Sequence, residues 1–155
     1  MPGAGFYSID TSQLRFASDG RWYADGEPVL HQRLARLFSR YLRRKPAGGY
    51  EIWIDERYHA DVEVEDTPYV VMAVNVDGDG KLLIDLNDGT TELLVPDTLQ
   101  VGEGNVLSCG VKDDTERARF LRPAYYQPAD FIEETDPGRF QLRCGGTTHS
   151  IPQRL

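Results

Sequence analysis

Along this chain the spacing of apolar residues switches from strand-like to helix-like and back again, and the switches mark its elements. Asp19-Gly20 and Asp25-Gly26 bracket the short aromatic run Arg21-Trp22-Tyr23-Ala24, which predicts hairpin strands near 14–18 and 21–24. From Leu30 the apolar positions fall at Leu34, Leu37, Phe38, Tyr41 and Leu42, one face of an α-helix. Pro46 and Gly48-Gly49 predict its end, so the helix is expected from about Leu30 to Arg44. It should bury Leu34, Leu37, Phe38 and Tyr41 and expose Arg36 and Arg40, with Arg33, Arg43 and Arg44 on the same polar side.

Alternation returns in Tyr50 to Ile54 and Val62 to Val64, which predicts two half-buried strands joined through Arg57 and His59. Tyr69 to Val76 and Lys81 to Leu86 flank Asp77-Gly78-Asp79-Gly80, and Asn87-Asp88-Gly89 leads into Thr91 to Val95, the pattern of an antiparallel meander. After a loop from Pro96 to Asn105 come a strand at Val106 to Val111 and a turn or short helix at Thr115 to Arg122. Pro128 suits the first turn of a helix running to about Thr135, stopped by Asp136-Pro137-Gly138; Phe140 to Cys144 and Thr148 to Ile151 close the chain as strands.

A weak internal repeat joins these elements. Asp19-Gly20-Arg21 and Asp79-Gly80-Lys81 each open a hairpin, while Gly49-Tyr50-Glu51-Ile52 and Gly138-Arg139-Phe140-Gln141-Leu142 each follow a helix. His59 and His149 each lie nine residues past the aromatic, and the second copy would carry about thirty extra residues (140 − 79 = 61 against 50 − 19 = 31). The predicted fold is α+β, with two small lobes of antiparallel sheet, each with a helix, internally duplicated. An N-terminal lobe over 10–66 carries hairpin, amphipathic helix and hairpin; a C-terminal lobe over 67–155 carries meander, helix and hairpin.

Composition narrows the function. The 155 residues hold 17 Lys+Arg against 25 Asp+Glu, a net charge of −8, with 40% hydrophobic residues. That acidity argues against sequence-independent binding of a nucleic-acid polymer, whose affinity comes from cations on phosphates. The charge is uneven: residues 1–48 hold 8 basic and 4 acidic side chains (+4), residues 49–104 hold 2 and 14 (−12), and residues 105–155 hold 7 and 7 (0). A basic helical segment and an acidic β segment can attract each other, or both can face water. Met1 to Phe6 has neither the basic start nor the apolar run of a secretory signal, and Val70 to Val74 is far short of a membrane span, so a cytoplasmic protein is expected. Cys109 and Cys144 lack metal-ligand spacing and read as reduced core thiols; no cofactor is expected.

Catalytic motifs are absent from the sequence. Counted from Asp77, the sixth position of a calcium loop is Leu82 and the twelfth Asp88, so Asp77 to Gly80 reads as a turn. His31, His59 and His149 show no H-E-x-x-H spacing, and no G-x-S-x-G or phosphate loop occurs. Glu63, Glu65 and Asp66 could gather around a divalent cation, although such pairs usually face solvent. Arg122-Pro123-Ala124-Tyr125-Tyr126 and Arg21-Trp22-Tyr23 set a guanidinium beside rings, a combination that can grip a phosphate and stack on a base, or simply pack in a core.

The segments Asp19 to Val29, Val64-Glu65-Asp66-Thr67-Pro68-Tyr69-Val70 and Arg122 to Tyr126 stand in an order that resembles the bacterial domain-of-unknown-function family 1285, over about residues 10–152. The resemblance implies a duplicated α+β core with a pleckstrin-homology-like C-terminal lobe. It also implies a pocket between the lobes for a nucleotide-type ligand in signalling. Carried over with it are Trp22, Arg33, Glu65, Asp66, Arg122, Tyr125 and Tyr126. Pro128 and Thr147-Thr148-His149-Ser150 depart from the family pattern near that pocket. The leading expectation is a non-enzymatic module binding a nucleotide-type anion. The alternatives are a protein-interaction domain meeting a signalling partner and, third, a metal-dependent phosphohydrolase.

Overall fold

The computed structural model describes residues 13–121, 132–137, 139–144 and 146–152. The chain divides into two compact units between Pro68 and Tyr69. In the first, strands β1 (Leu14–Phe16), β2 (Trp22–Ala24) and β3 (Glu27–Pro28) precede helix α1 (Gln32–Arg40), and β4 (Leu42–Arg44), β5 (Tyr50–Trp53) and β6 (His59–Val64) follow it. They form one sheet in the order β3-β2-β1-β6-β5-β4, with β1 and β6 parallel and every other pair antiparallel. The sheet is therefore mixed. Its one parallel pair joins the two ends of the lobe, a pairing that local patterns of alternation do not register.

The second unit repeats this topology. β7 (Tyr69–Val76), β8 (Leu82–Leu86) and β9 (Thr91–Leu93) run outward from the centre of a sheet; β10 (Gln100–Val101), β11 (Leu107–Val111) and β12 (Glu116–Phe120) return to it. The order is β10-β11-β12-β7-β8-β9, with β7 and β12 parallel. In two of the hairpin turns of each copy the backbone hydrogen bonds correspond. Ala17 N–H donates to Arg21 and Gly20 N–H to Ala17, as Asp77 does to Lys81 and Gly80 to Asp77. Lys45 donates to Gly49 and Gly48 to Lys45, as Gly102 does to Val106 and Asn105 to Gly102. Gly20 and Gly80 hold φ of 83° and 79°, which explains the glycine in each copy of the opening turn.

This register corrects the repeat expected from sequence. Tyr50 to Trp53 corresponds to the strand at Leu107 to Val111 and not to Phe140, and the copies, Leu14 to Val64 and Tyr69 to Phe120, have nearly equal length. His59 lies in the first copy and His149 beyond the second, so their shared spacing is no part of the duplication. The segment at 115–122 contributes a strand, β12, where a turn or short helix was expected. The chain beyond the second copy forms a separate sheet of β13 (Ile132–Asp136), β14 (Arg139–Cys144) and β15 (Thr147–Ile151). The expected helix from Pro128 is thus a strand over 132–136, and its first residues lie outside those described.

Each copy covers one sheet face differently. In the first, α1 sits on the sheet: Phe38 is buried, its ring 5.4 Å from that of Trp22, which lies 5.1 Å from Phe16. In the second, a short 3-10 turn at Pro96–Thr98 stands at the position of α1, and Leu142 and Ile151 from the third sheet join the core of Val71, Ile84, Leu107 and Phe120 instead. Both solutions bury the same kind of apolar face, at ~1.5–3 kcal/mol for each large side chain removed from water. No helix among the described residues is long and apolar enough to cross a membrane.

Candidate functional site

Helix α1 is built of good helix formers, but nine residues are too few to hold a helix in water without packing. His31 caps it by accepting the Leu34 N–H at its Nδ1, 3.3 Å away. The helix ends four residues before the expected point, because the Tyr41 carbonyl accepts the Trp53 N–H and draws Leu42 into β4, where it lies opposite Ile52. Pro46 and Gly48-Gly49 accordingly form the β4–β5 turn. The apolar stripe also splits: Phe38 is buried, whereas Leu37 and Tyr41, expected in the core, are 37% and 38% exposed, and Leu30 is 81% exposed.

Arg33, Arg36 and Arg40 lie on the exposed side of α1. Among the described residues none of the three has a carboxylate partner. By contrast Arg15, Arg43, Lys45, Lys112 and Arg143 rest against Glu65, Glu51, Asp61, Asp88 and Glu133 at 2.7–2.9 Å. In a chain of net charge −8, these three guanidiniums concentrate uncompensated positive charge on one short helix.

The other residues expected at the site are placed as follows. Trp22 is 2% exposed, donates its Nε1–H to Ser39 Oγ at 2.9 Å and is enclosed by Phe16 and Phe38. It is a core residue with a satisfied polar edge, and its ring offers no face for stacking. Glu65 is exposed at the end of β6, accepting from Ser18 Oγ at 2.7 Å, Ser18 N–H at 3.1 Å and Arg15 at 2.7 Å. The Ser18 hydrogen bonds, and then Arg15, hold its carboxyl below the usual carboxylate range. Asp66 is exposed beside it. Glu65 thus closes the first lobe, tying the end of β6 to the β1–β2 turn. Glu63, Glu65 and Asp66, weighed above as carboxylates that could gather around a divalent cation, form no such group: no three potential ligands are placed to hold a metal among the described residues. Arg122, Tyr125 and Tyr126 lie outside the described residues.

Two clusters escaped the sequence reading. On the face of the first sheet away from α1, the Arg43 guanidinium lies 4.2 Å from the Trp53 ring centre, and His59 stacks on the same ring at 4.6 Å. Since β5 lies between β4 and β6, the two side chains reach Trp53 from opposite sides. Only the cross-strand register, Trp53 opposite His59, brings them together, and that register is invisible before the hairpin is known.

The second cluster surrounds Lys112, Asp113 and Asp114, three consecutive residues with φ of 55°, 58° and 59°. Aspartate tolerates this region; lysine needs support. Glu92 accepts the Lys112 N–H, and the ammonium reaches Asp88 at 2.7 Å and Thr90 at 3.0 Å. Burial pushes the Asp88 carboxyl up, but the Lys112 and Thr90 hydrogen bonds outweigh it and bring it below its ordinary value. The Asp114 carboxylate crosses over Gly110, and a Cβ there would push it aside. Around this turn lies a shallow cleft of about 750 Å³, lined by Leu93 and Val95 and rimmed by Glu92, Asp97, Asp113 and Asp114. Nearby Cys109 is free and fully buried, its thiol pushed up to about 12 by burial, so it is no nucleophile. The Cys144 side chain lies outside the described residues.

The fold defines a class: a duplicated α+β chain with two six-stranded mixed sheets and a small third sheet. That fold is shared with two solved DUF1285 family proteins, in accord with the sequence resemblance. One, from Silicibacter pomeroyi DSS-3, matches with a TM-score of 0.69 and 22% identity, over 90% of this chain and 79% of that one. The other, from Shewanella baltica OS155, matches with a TM-score of 0.61 and 17% identity, over 77% of this chain and 92% of that one. No protein-family model and no curated protein matches the chain.

Proposed function

We propose that this protein works by binding, without catalysis, and that its ligand is a nucleotide-type anion. The observation that carries the reading is Arg33, exposed on α1 with no carboxylate partner among the described residues. A guanidinium with no competing carboxylate retains its full donor fork for a phosphate. Arg122, with Tyr125 or Tyr126 for stacking, and Glu65 or Asp66 for base donors complete the proposed residue set. Trp22 leaves it because its ring is enclosed. Two cysteines in 155 residues suit the cytoplasm as the proposed setting, and signalling the proposed context.

A thermal-shift panel of nucleoside phosphates and cyclic nucleotides, with and without magnesium, tests this. A ligand at ~100 times its Kd adds ~2.7 kcal/mol to the folded state. Arg33→Ala should weaken that ligand about tenfold or more, as loss of a charged hydrogen bond of ~1.5–3 kcal/mol implies. A silent panel, or one unchanged by the substitution, contradicts the reading. Leu30, Leu37 and Tyr41, exposed beside the arginines, favour a second reading as a protein-interaction domain.

A further inference from the structure

Two surfaces, one on each unit, have complementary chemistry. On α1, Arg33, Arg36 and Arg40 flank half-exposed Leu37, with half-exposed Tyr41 following at the helix end. On the second unit, the cleft beside β9 presents Leu93 and Val95, 47% and 51% exposed, inside a rim of Glu92, Asp97, Asp113 and Asp114. Among the described residues lining it the one Lys or Arg, Lys112, has its ammonium turned onto Asp88 and Thr90, so the rim remains net acidic. Asp97 is almost fully exposed, with His149 at 3.3 Å, and Asp113 and Asp114 are exposed as well.

We infer that the partner of α1 is a second copy of this chain, with the arginine face of one copy docked over the acidic cleft of the next. This rests on the interaction reading and not on the nucleotide reading. Nine helical residues at ~1.5 Å rise each give a short cylinder, suited to a shallow cleft. The apolar residues supply a dry centre, and the opposed charges supply register and orientation. An acidic chain repels its own copies unless its few unpaired cations meet carboxylates, so the charge pattern selects this pairing over a helix-to-helix one. Because the two surfaces differ, the contact is head-to-tail and builds rings or chains of copies. Anionic vesicles are the rival occupant of a basic helix, with Leu30, Leu37 and Tyr41 exposed for insertion, and are an outcome of the test.

Sedimentation velocity of the full chain over a concentration series, at low and at physiological salt, tests the inference. The wild type should sediment faster as concentration rises, and less so at the higher salt. Arg36→Ala/Arg40→Glu, which sets no carboxylate within a turn of Arg33 and so leaves it for any nucleotide, should remain monomeric. So should Asp97→Lys/Asp113→Asn, which keeps at residue 113, with its φ of 58°, a residue type that tolerates positive φ. Mixing the two should restore association, since the intact arginine helix of the cleft variant then meets the intact acidic cleft of the helix variant. A wild type that stays monomeric throughout, variants that associate alone, or a mixture that stays monomeric would overturn it. So would salt-sensitive binding to phosphatidylserine vesicles by a monomeric wild type. Circular dichroism matching the wild type establishes that the variants are folded.

Discussion

At the scale of single residues, side chains with one visible chemistry turn out to hold structural posts. Trp22 looks like a stacking platform from its neighbours Arg21 and Tyr23, yet its indole is spent on Ser39 and the core. Trp22→Phe should cost about 1 kcal/mol by urea unfolding, the net worth of one hydrogen bond, and leave ligand affinity unchanged; a loss of affinity without loss of stability would return Trp22 to the site. His31 caps α1 through an imidazole nitrogen, and no acidic residue stands in the first turn. His31→Asp supplies a stronger acceptor and a charge matched to the helix dipole, so it should stabilise by ~0.5–1 kcal/mol. A lower unfolding midpoint would show that the histidine does something else. Asp88 has its carboxyl lowered in the folded state, chiefly through Lys112. Its contribution is therefore present above the unfolded value of ~4 and drains away as pH falls through the lower folded value. Asp88→Asn should flatten the loss of stability below about pH 4, and an unchanged acid profile would contradict the pairing.

At the scale of elements, the sequence was most readable where one residue decides the geometry. Asp19-Gly20 and Asp79-Gly80 sit in the turns they announce, because positive φ at Gly20 and Gly80 leaves little choice. Helix α1 was legible in its core residue Phe38 but not in its end. Leu42 continues the helical period, yet the bond between the Tyr41 carbonyl and Trp53, formed only once β5 is in place, takes it into β4. Tertiary pairing overrides local period there. Phe38→Ala should cost ~3–5 kcal/mol and Leu37→Ala less than about 1 kcal/mol, because only the first removes atoms from a filled core. Equal costs in chemical denaturation would restore the longer, fully packed stripe.

At the scale of the whole molecule, the duplication was visible as paired hairpins but misaligned in its second half. The reason is that β6 and β12 return to pair in parallel with β1 and β7, so the closing strand of each copy is identified by long-range partners and not by its neighbours in sequence. The third sheet then takes over the covering role that α1 has in the first copy, which placed Phe140 outside the repeat. Of the expected site, Arg33 was legible as a cation on a helix, and its lack of a carboxylate became visible only with the other cations paired. Binding without turnover is tested by titrating the wild type with each nucleotide of the panel and analysing the recovered nucleotide from the same samples. The expected result is saturable binding at one site per chain and the nucleotide returned intact, with or without magnesium. Absence of saturation across the panel, or magnesium-dependent conversion of the nucleotide to product, would contradict it.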